Sequence, residues 1–424
     1  MDITKRVQIK LSQITEKYQE EFSRPEFKFI RDMYYGILCS GHVHLNKIGA
    51  VLKEDISLKK TTERLSSHLG REGFDKRITR YHLKQNKRTF SQAKYLIVDM
   101  SDITKTYAEK MEGLAPVYDG STGEINNGYW QLNVIGVDKS GTSIMPMSST
   151  LFATDKEEGK GFSENKKILE SVDIIREYLR GKKIVVFDRG GDRNKLIYRW
   201  LKQKQHFIIR QTGRRDIFAG KEKKNLEEYA AKIPSSCEIT VQRRRRNKIK
   251  RRTFKCGARK VYMPKQYGEG PMETALWLIA VTEPGKGKSW FLCYLPVETE
   301  KEAIETAMQG YGYRWKIEEV HRQVKVDYHL EEVSLKRYVA LKNFNALFWV
   351  VMSFVYHHLE GLSLSIISYS KTPLVYRNEF HEYLGFVYYK LAKALRIILS
   401  NINLRKLKNY YKVKNKMQLA FAFE

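Results

Sequence analysis

Cysteine is scarce and poorly placed for cross-linking. Cys39, Cys237, Cys256 and Cys293 form no C-x-x-C pair and no zinc spacing. That excludes a disulfide framework and points to a reducing cytosol. The ten histidines show no metal-ligand spacing either. Long apolar runs are also missing. The longest, residues 344–356, is too short for a membrane span and contains Asn345 and Ser353, so it predicts a buried helix. The first residues, MDITKRVQIKLSQ, are charged throughout and lack the apolar centre of a signal peptide. There is no internal repeat and no low-complexity linker. The expectation is a soluble, cytoplasmic chain with no membrane partner.

Acidic residues are outnumbered. Lys and Arg total 77 against 48 Asp and Glu, a formal net charge of +29. An excess of that size repels itself in a compact state unless a polyanion sits on it, and nucleic acid is the first candidate. Charge alone leaves ribosome association and plain solubility open. At 424 residues, the chain is long enough for two or three domains, and its 42% apolar content suits a folded protein.

Residues 1–88 read as helical. Within them, residues 44–69 have a helix–turn–helix rhythm whose second helix would turn Lys59, Lys60 and Arg64 toward DNA; an ordinary helical hairpin fits the same pattern. From residue 95 the period changes to that of strands. YLIVD (95–99) is an apolar run ending in Asp99, and residues 129–138 and 142–152 form a hairpin around Lys139, Ser140 and Gly141. A helix capped by Ser163 leads to a second apolar strand ending in Asp188, then a helix from about residue 192 and a strand at 206–210. This order makes a mixed α/β sheet. Residues 212–297 read as a β-rich insertion carrying a basic hairpin or loop at 243–252, in which Arg243, Arg244, Arg245 and Arg246 are consecutive. Helices follow through 335, then near 336–360 and 378–400.

In an α/β sheet, ligands gather at the carboxyl ends of strands, which draws attention to Asp99 and Asp188. Either could equally be a turn residue, and Asp102 and Asp192 nearby serve as helix caps. The stretch 311–325 is more specific. Treated as one helix, Tyr311, Arg314, Glu318 and Lys325 fall within about 60° of one another, on one face. A carboxylate flanked by cations suits a phosphodiester site, in which the acid binds metal and the cations grip phosphate. A salt-bridge ladder would look similar.

These three segments together resemble the DDE transposases of bacterial insertion sequences, in the branch marked by Tyr-x2-Arg-x3-Glu-x6-Lys. Tyr311, Arg314, Glu318 and Lys325 fit that signature, Asp99-Met-Ser101 the first-acid segment, and Asp188-Arg189-Gly-Gly-Asp192 the second. The resemblance spans roughly residues 90–360. It implies an RNase H-like core interrupted by the β-rich insertion, with helical N- and C-terminal regions. The implied division is a helical DNA-binding domain (1–88), a catalytic core in two parts (89–211 and 298–335) separated by the insertion (212–297), and a helical C-terminal region (336–424) with a possible role in dimerisation.

The resemblance also implies chemistry. Asp99, Asp188 and Glu318 would hold two Mg²⁺ ions about 4 Å apart, Mn²⁺ substituting, for phosphoryl transfer. Tyr311, Arg314, Lys325 and Arg189 would position the phosphates of transposon terminal inverted repeats, and the 3′-OH would cut the other strand through a hairpin before joining target DNA. Trp290 would receive a base displaced from the stack, Trp277 competes for that role, and core packing accounts for either. Arg243–Arg246 would grip DNA backbone. His357 and His358 read as packed, and His321 lies near the catalytic face. A synaptic homodimer associated with the bacterial nucleoid is expected. The alternatives are an RNase H-like nuclease without strand transfer, and a co-opted DNA-binding protein without catalysis.

Overall fold

A computed structural model describes residues 2–118, 123–153, 159, 161–245, 248–369 and 387–401. The chain begins with helices α1 (Ile3–Glu16), α2 (Arg24–Ser40), α3 (Leu45–Leu52), α4 (Leu58–Leu69), α5 (Phe74–Gln85) and α6 (Lys87–Phe90). Local chemistry sets several of these boundaries. A reciprocal capping box between Ser23 and Glu26 starts α2, and Gly41 ends it in the left-handed region at φ 64°. Ser57 accepts the Lys60 N–H to start α4, so α3 and α4 form the helix–turn–helix expected from the sequence.

The strands form one sheet among the described residues. They are β1 (Tyr95–Thr104), β2 (Ala115–Tyr118), β3 (Ile125–Val137), β4 (Ile144–Phe152), β5 (Ile184–Phe187), β6 (Phe207–Arg210), β7 (Asp216–Ala219), β8 (Glu222–Asn225), β9 (Cys237–Arg245), β10 (Lys248–Pro264), β11 (Pro271–Glu283) and β12 (Gly287–Tyr294). The core order is β4-β3-β1-β5-β6: three antiparallel strands, then two parallel ones. This is the mixed sheet order expected of an RNase H-like core. The crossovers are α7 (Glu164–Tyr178) and α8 (Asn194–Lys202). Ser163 precedes α7 without making the expected side-chain cap.

The insertion extends this sheet. β12 pairs antiparallel with β6, so β11 and β10 continue outward from the core and cover an edge that would otherwise stand open. The basic run falls on the β9–β10 hairpin, where Arg243 faces Lys250 and Arg245 faces Lys248 across the ladder. Arg246 lies outside the described residues.

Alternation along the central strands decides what each face meets. Leu96, Val98, Val185 and Phe187 pack in the cluster that contains Val172 of α7 and Trp200 of α8. Tyr95, Ile97, Ile184 and Val186 point the other way, into the cluster containing Ala303 and Ile304 of α10 (Glu300–Gly312) and Ile317, Val320 and Val324 of α11 (Trp315–Val326). Within the insertion, α9 (Leu226–Ala231) lies between β8 and β9.

The N- and C-terminal helices share that second cluster, so they form one helical layer against the sheet. α12 (Tyr338–Ser353) packs on β4 and on α5, α4 and α2, and runs on through a π-helical turn at Phe354–His358. It is the one described helix long and apolar enough to cross a membrane, but 89% of its apolar window is buried inside the protein. Its two asparagines have partners. Asn343 donates to the carbonyls of Leu69 and Arg71 and accepts from the Asp75 N–H at 2.8 Å, tying the α4–α5 turn to α12. The remaining helices are α13 (Ser363–Tyr369) and α14 (Val387–Ser400); the latter lies against α2. The helix expected at 378–400 is described only from Val387, and the basic-aromatic tail at 404–416 lies outside the described residues.

Candidate active site

Asp99 does not end its strand. β1 continues to Thr104 because β3 runs beside it, with Asn133 opposite Asp99. What ends there is the parallel neighbour. Ile97 pairs with Val186, β5 stops at Phe187, and Asp188 follows. Two residues on from Ile97 and from Val186, both acids point to the face that carries α10 and α11. The switch point between β1 and β5 therefore holds an aspartate from each strand.

Glu318, in the first turn of α11, completes the group. Arg314 joins the acids, with Nη1 3.6 Å from Asp99 Oδ2 and Nη2 hydrogen-bonded to Glu318 Oε1. Burial pushes the Asp99 carboxyl up to about 7; repulsion from Asp188 and Glu318 adds to this, while Arg314 and the Met100 N–H oppose it. Asp188 Oδ1 accepts the Gly190 N–H at 2.8 Å, which fixes its carboxylate over a tight turn. Gly191 has to be glycine there, because a Cβ would sit 2.7 Å from the Phe187 ring. Asp99 and Arg314 are 15% and 18% exposed and Glu318 is 54% exposed, so the cluster opens outward at Glu318.

Glu319 lies among Lys316 and Arg322, and burial raises its carboxyl to about 8 despite both cations.

The stretch 311–325 is not one helix. α10 ends at Gly312, α11 starts at Trp315, and the bonds Arg314 N to Tyr311 O and Ile317 N to Arg314 O are i to i−3. Gly310 and Gly312 weaken the helix at this point. The single-face alignment holds for Glu318 and Lys325, whereas Tyr311 and Arg314 reach the site across a kink. Tyr311 packs edge-on to Phe291 with its ring beneath Arg314. Arg210, which the sequence reading missed, ends β6 on the same face and donates to the Tyr311 hydroxyl at 3.4 Å and to Ser289 Oγ at 3.1 Å. Its signal was available: it closes the third apolar strand, FIIR, beside two that lead into acids.

Lys325 is held away from the three acids. Its ammonium lies 3.0 Å from Asp102 and 3.0 Å from Glu331, pinning the end of α11 to β1. Asp102 is thus an ion-pair partner within a strand and not a helix cap. Asp192 does not cap α8, whose N-cap is Arg193; it accepts from Thr212 at 2.7 Å and 2.6 Å and pairs with Arg215. Arg189 is exposed beside Asp188. Trp290 is 7% exposed and packs in the cluster on the opposite face of the sheet from α11. Trp277 is 8% exposed, with Lys260 over its ring at 5.3 Å. His321, on α11 itself, is half-buried and lies 2.9 Å from Asn133. That bond starts a buried polar chain in which Asn133 donates to Gln131, Gln131 to Asn345 and Asn345 to Ser149.

In the helix–turn–helix, Lys59 and Lys60 are exposed while Arg64 turns inward, 2.9 Å from Asp32 and 2.8 Å from Glu54. Arg64→Ala should therefore lower stability by roughly 1–3 kcal/mol, because buried Asp32 loses the nearest of its cations. Replacing Lys59 and Lys60 together should leave stability unchanged and flatten the salt dependence of DNA binding by about two phosphate contacts. Urea unfolding and binding titrations across a salt series separate the two outcomes.

Three carboxylates with one cation among them suit a hard divalent ion such as Mg²⁺ or Mn²⁺. Ion binding must displace the Asp99 proton below about pH 7. Mg²⁺ affinity is expected to rise by up to about tenfold per pH unit below that value and to level off above it. Calorimetric titration in two buffers of different ionisation enthalpy reads the released proton.

The strand order and this acid cluster have the arrangement expected of an RNase H-like core, and sequence comparison places part of the chain beside a known family. Residues 149–353 match the family described as "Transposase DDE domain", a span that includes Asp188 and Glu318 and begins after Asp99. No curated protein matches the sequence. Among solved structures, a piggyBac transposase synaptic complex with hairpin DNA aligns over 96% of this chain and 82% of that one, at 9% identity and TM-score 0.41. Over residues 149–353, just under half of its length, the chain is thus similar to the DDE domain of transposases.

Proposed function

We propose that the chain cuts DNA at the terminal inverted repeats of its own element and joins the freed 3′ ends to target DNA, with Asp99, Asp188 and Glu318 as its catalytic carboxylates. The observation that carries this reading is the meeting of three acids from three separate elements at Asp99, with Arg314 touching two of them. The acids would hold Mg²⁺ or Mn²⁺, which when bound would supply Lewis acidity toward a phosphodiester and activate a water or 3′-hydroxyl.

The remaining groups would bind and orient DNA. Arg314 would exchange a carboxylate for a phosphate oxygen, with Tyr311 and Arg210 bracing it. Arg189 would meet backbone at the rim. Lys325 would keep α11 seated through Asp102, and could reach phosphate only by releasing that partner. The β9–β10 hairpin, with Arg243, Arg244 and Arg245 on one strand, would extend the contact, as would Lys59 and Lys60. A hairpin intermediate belongs to the proposal, and base capture by Trp290 would require its ring to be uncovered first. The working unit would be a homodimer bridging two ends, in a bacterial cytoplasm.

The test is an end-labelled duplex carrying the element's terminal repeat, incubated with protein and Mg²⁺. Nicking at the repeat boundary, then a hairpin, then joined product is the expected sequence. Nicks that never progress to joining would favour a nuclease, and tight binding without any cut a co-opted DNA-binding protein.

A further inference from the structure

A second cluster of metal-ligating groups lies outside the acid site. His42 and His44 flank the turn into α3, and His329 and Glu332 lie in the turn after α11. These segments are far apart in sequence, 288 residues separating His44 from Glu332, so no spacing rule applied to the chain could have paired them. The fold puts one ligand atom each of His42, His329 and Glu332 within 4.8 Å of one another. His329 Nδ1 is 3.1 Å from Glu332 Oε1, and His42 Nδ1 is 4.0 Å from Oε2 of the same carboxylate. The His42 and His329 rings stack at 4.3 Å with 9° between their planes. His44 Nε2 lies 3.2 Å from Glu332 Oε2, where it can orient the carboxylate.

We propose that His42, His329 and Glu332 bind a divalent transition-metal ion of the zinc class, clamping the entry to the helix–turn–helix onto the segment that follows the helix of Glu318. Three observations support it. The ligand set is imidazole and carboxylate, which suits Zn²⁺ far better than Mg²⁺. Tetrahedral ligation at about 2.0 Å needs donor atoms about 3.3 Å apart; the His329–Glu332 contact at 3.1 Å already fits, and His42, 4.0 Å from the carboxylate and stacked on His329, closes on the ion by side-chain rotation. His329 also holds a left-handed backbone at φ 57°, a conformation that is uncommon outside glycine and that clusters at ligand clamps. Glu332, half exposed, leaves the fourth position open to water.

Lys47 is the built-in competitor. Its ammonium lies 3.0 Å from His42 Nε2 and 3.3 Å from Nδ1, where it would repel an incoming ion. It is exposed and can swing away. Lys47→Ala should therefore tighten metal binding, an effect opposite to that of losing a ligand.

The test is equilibrium dialysis of the metal-stripped full chain against micromolar Zn²⁺, with millimolar Mg²⁺ present to occupy the carboxylate site. One bound zinc per chain is expected, lost in His329→Asn and in His42→Gln; asparagine is chosen because it tolerates the left-handed backbone. His44→Ala should weaken binding roughly 10–100-fold, as loss of an orienting partner does. X-ray absorption at the zinc edge of the wild-type protein reads the ligands without any substitution and covers the case in which a variant fails to fold. No zinc bound, equal binding by both ligand variants, or an all-oxygen shell would overturn the site.

Discussion

Glu318→Gln is expected to lower metal-dependent cleavage by on the order of 10³-fold or more, while leaving the metal-free protein at least as stable as wild type. The two halves of that expectation share one cause. The side chain is half exposed and its ion-pair partner among the described residues is Arg314, so little packing is lost. Its charge helps to hold Asp99 protonated at neutral pH. For stability, the sign follows from the raised carboxyl. Stabilisation from protonated Asp99 is fully present below the unfolded value of about 3.9 and is lost as pH rises through about 7. The metal-free protein should thus be less stable at pH 8 than at pH 5 on this account, and Mg²⁺ should restore it at pH 8. Removing Glu318 or Asp188 relieves the repulsion but removes the ligand, so the stability gain and the loss of activity appear together. Thermal unfolding at pH 5 and pH 8, with and without Mg²⁺, alongside a cleavage assay, checks both halves. A variant that unfolds in proportion to its lost activity would assign Glu318 a structural role.

Arg314→Ala should produce the opposite pattern, with losses in both properties. The guanidinium is 18% exposed and contacts two of the three acids, with Tyr311 beneath it. Without it, Asp99 keeps two like-charged neighbours and loses its counter-ion. A cost of roughly 1–3 kcal/mol in the metal-free state is expected, below the full penalty for a buried pair because Glu318 is solvated. Cleavage should fall by about 10²-fold through lost phosphate positioning. Arg314→Lys should recover most of the stability but little of the activity, since a point charge cannot replace the planar fork. Single-turnover rates and urea unfolding of the two variants measure this. Full activity in Arg314→Lys would show that only charge is needed there.

The parts of this site that sequence exposed were those governed by local rules. Buried central strands read as unbroken apolar runs, so β1 and β5 and their acids could be seen directly. Strand alternation then accounts for why Asp99 and Asp188 share a face, although the neighbour that terminates beside Asp99 is a matter of pairing. The kink between α10 and α11 went unseen because the motif's spacing looks helical, while two glycines allow the turn to tighten. Partner choice was hidden as well. Asp102, Asp192 and Arg64 resemble caps and surface charges in sequence, but their partners Lys325, Arg215 and Asp32 are fixed by tertiary packing. Trp290 has the spacing of a stacking residue, and the side of the sheet it occupies covers it. The histidines at 42 and 329 meet only because the N-terminal helical layer folds back over the end of α11.

The central claim is that Asp99, Asp188 and Glu318 act as one unit in cutting DNA. It is tested most directly by single-turnover cleavage of the element's terminal repeat by Asp99→Asn, Glu318→Gln and the double variant, in Mg²⁺ and in Mn²⁺. Each single substitution should remove metal-dependent cleavage while DNA binding persists, and the double variant should be no worse than either single one. Near-wild-type cleavage by any of the three would contradict the account.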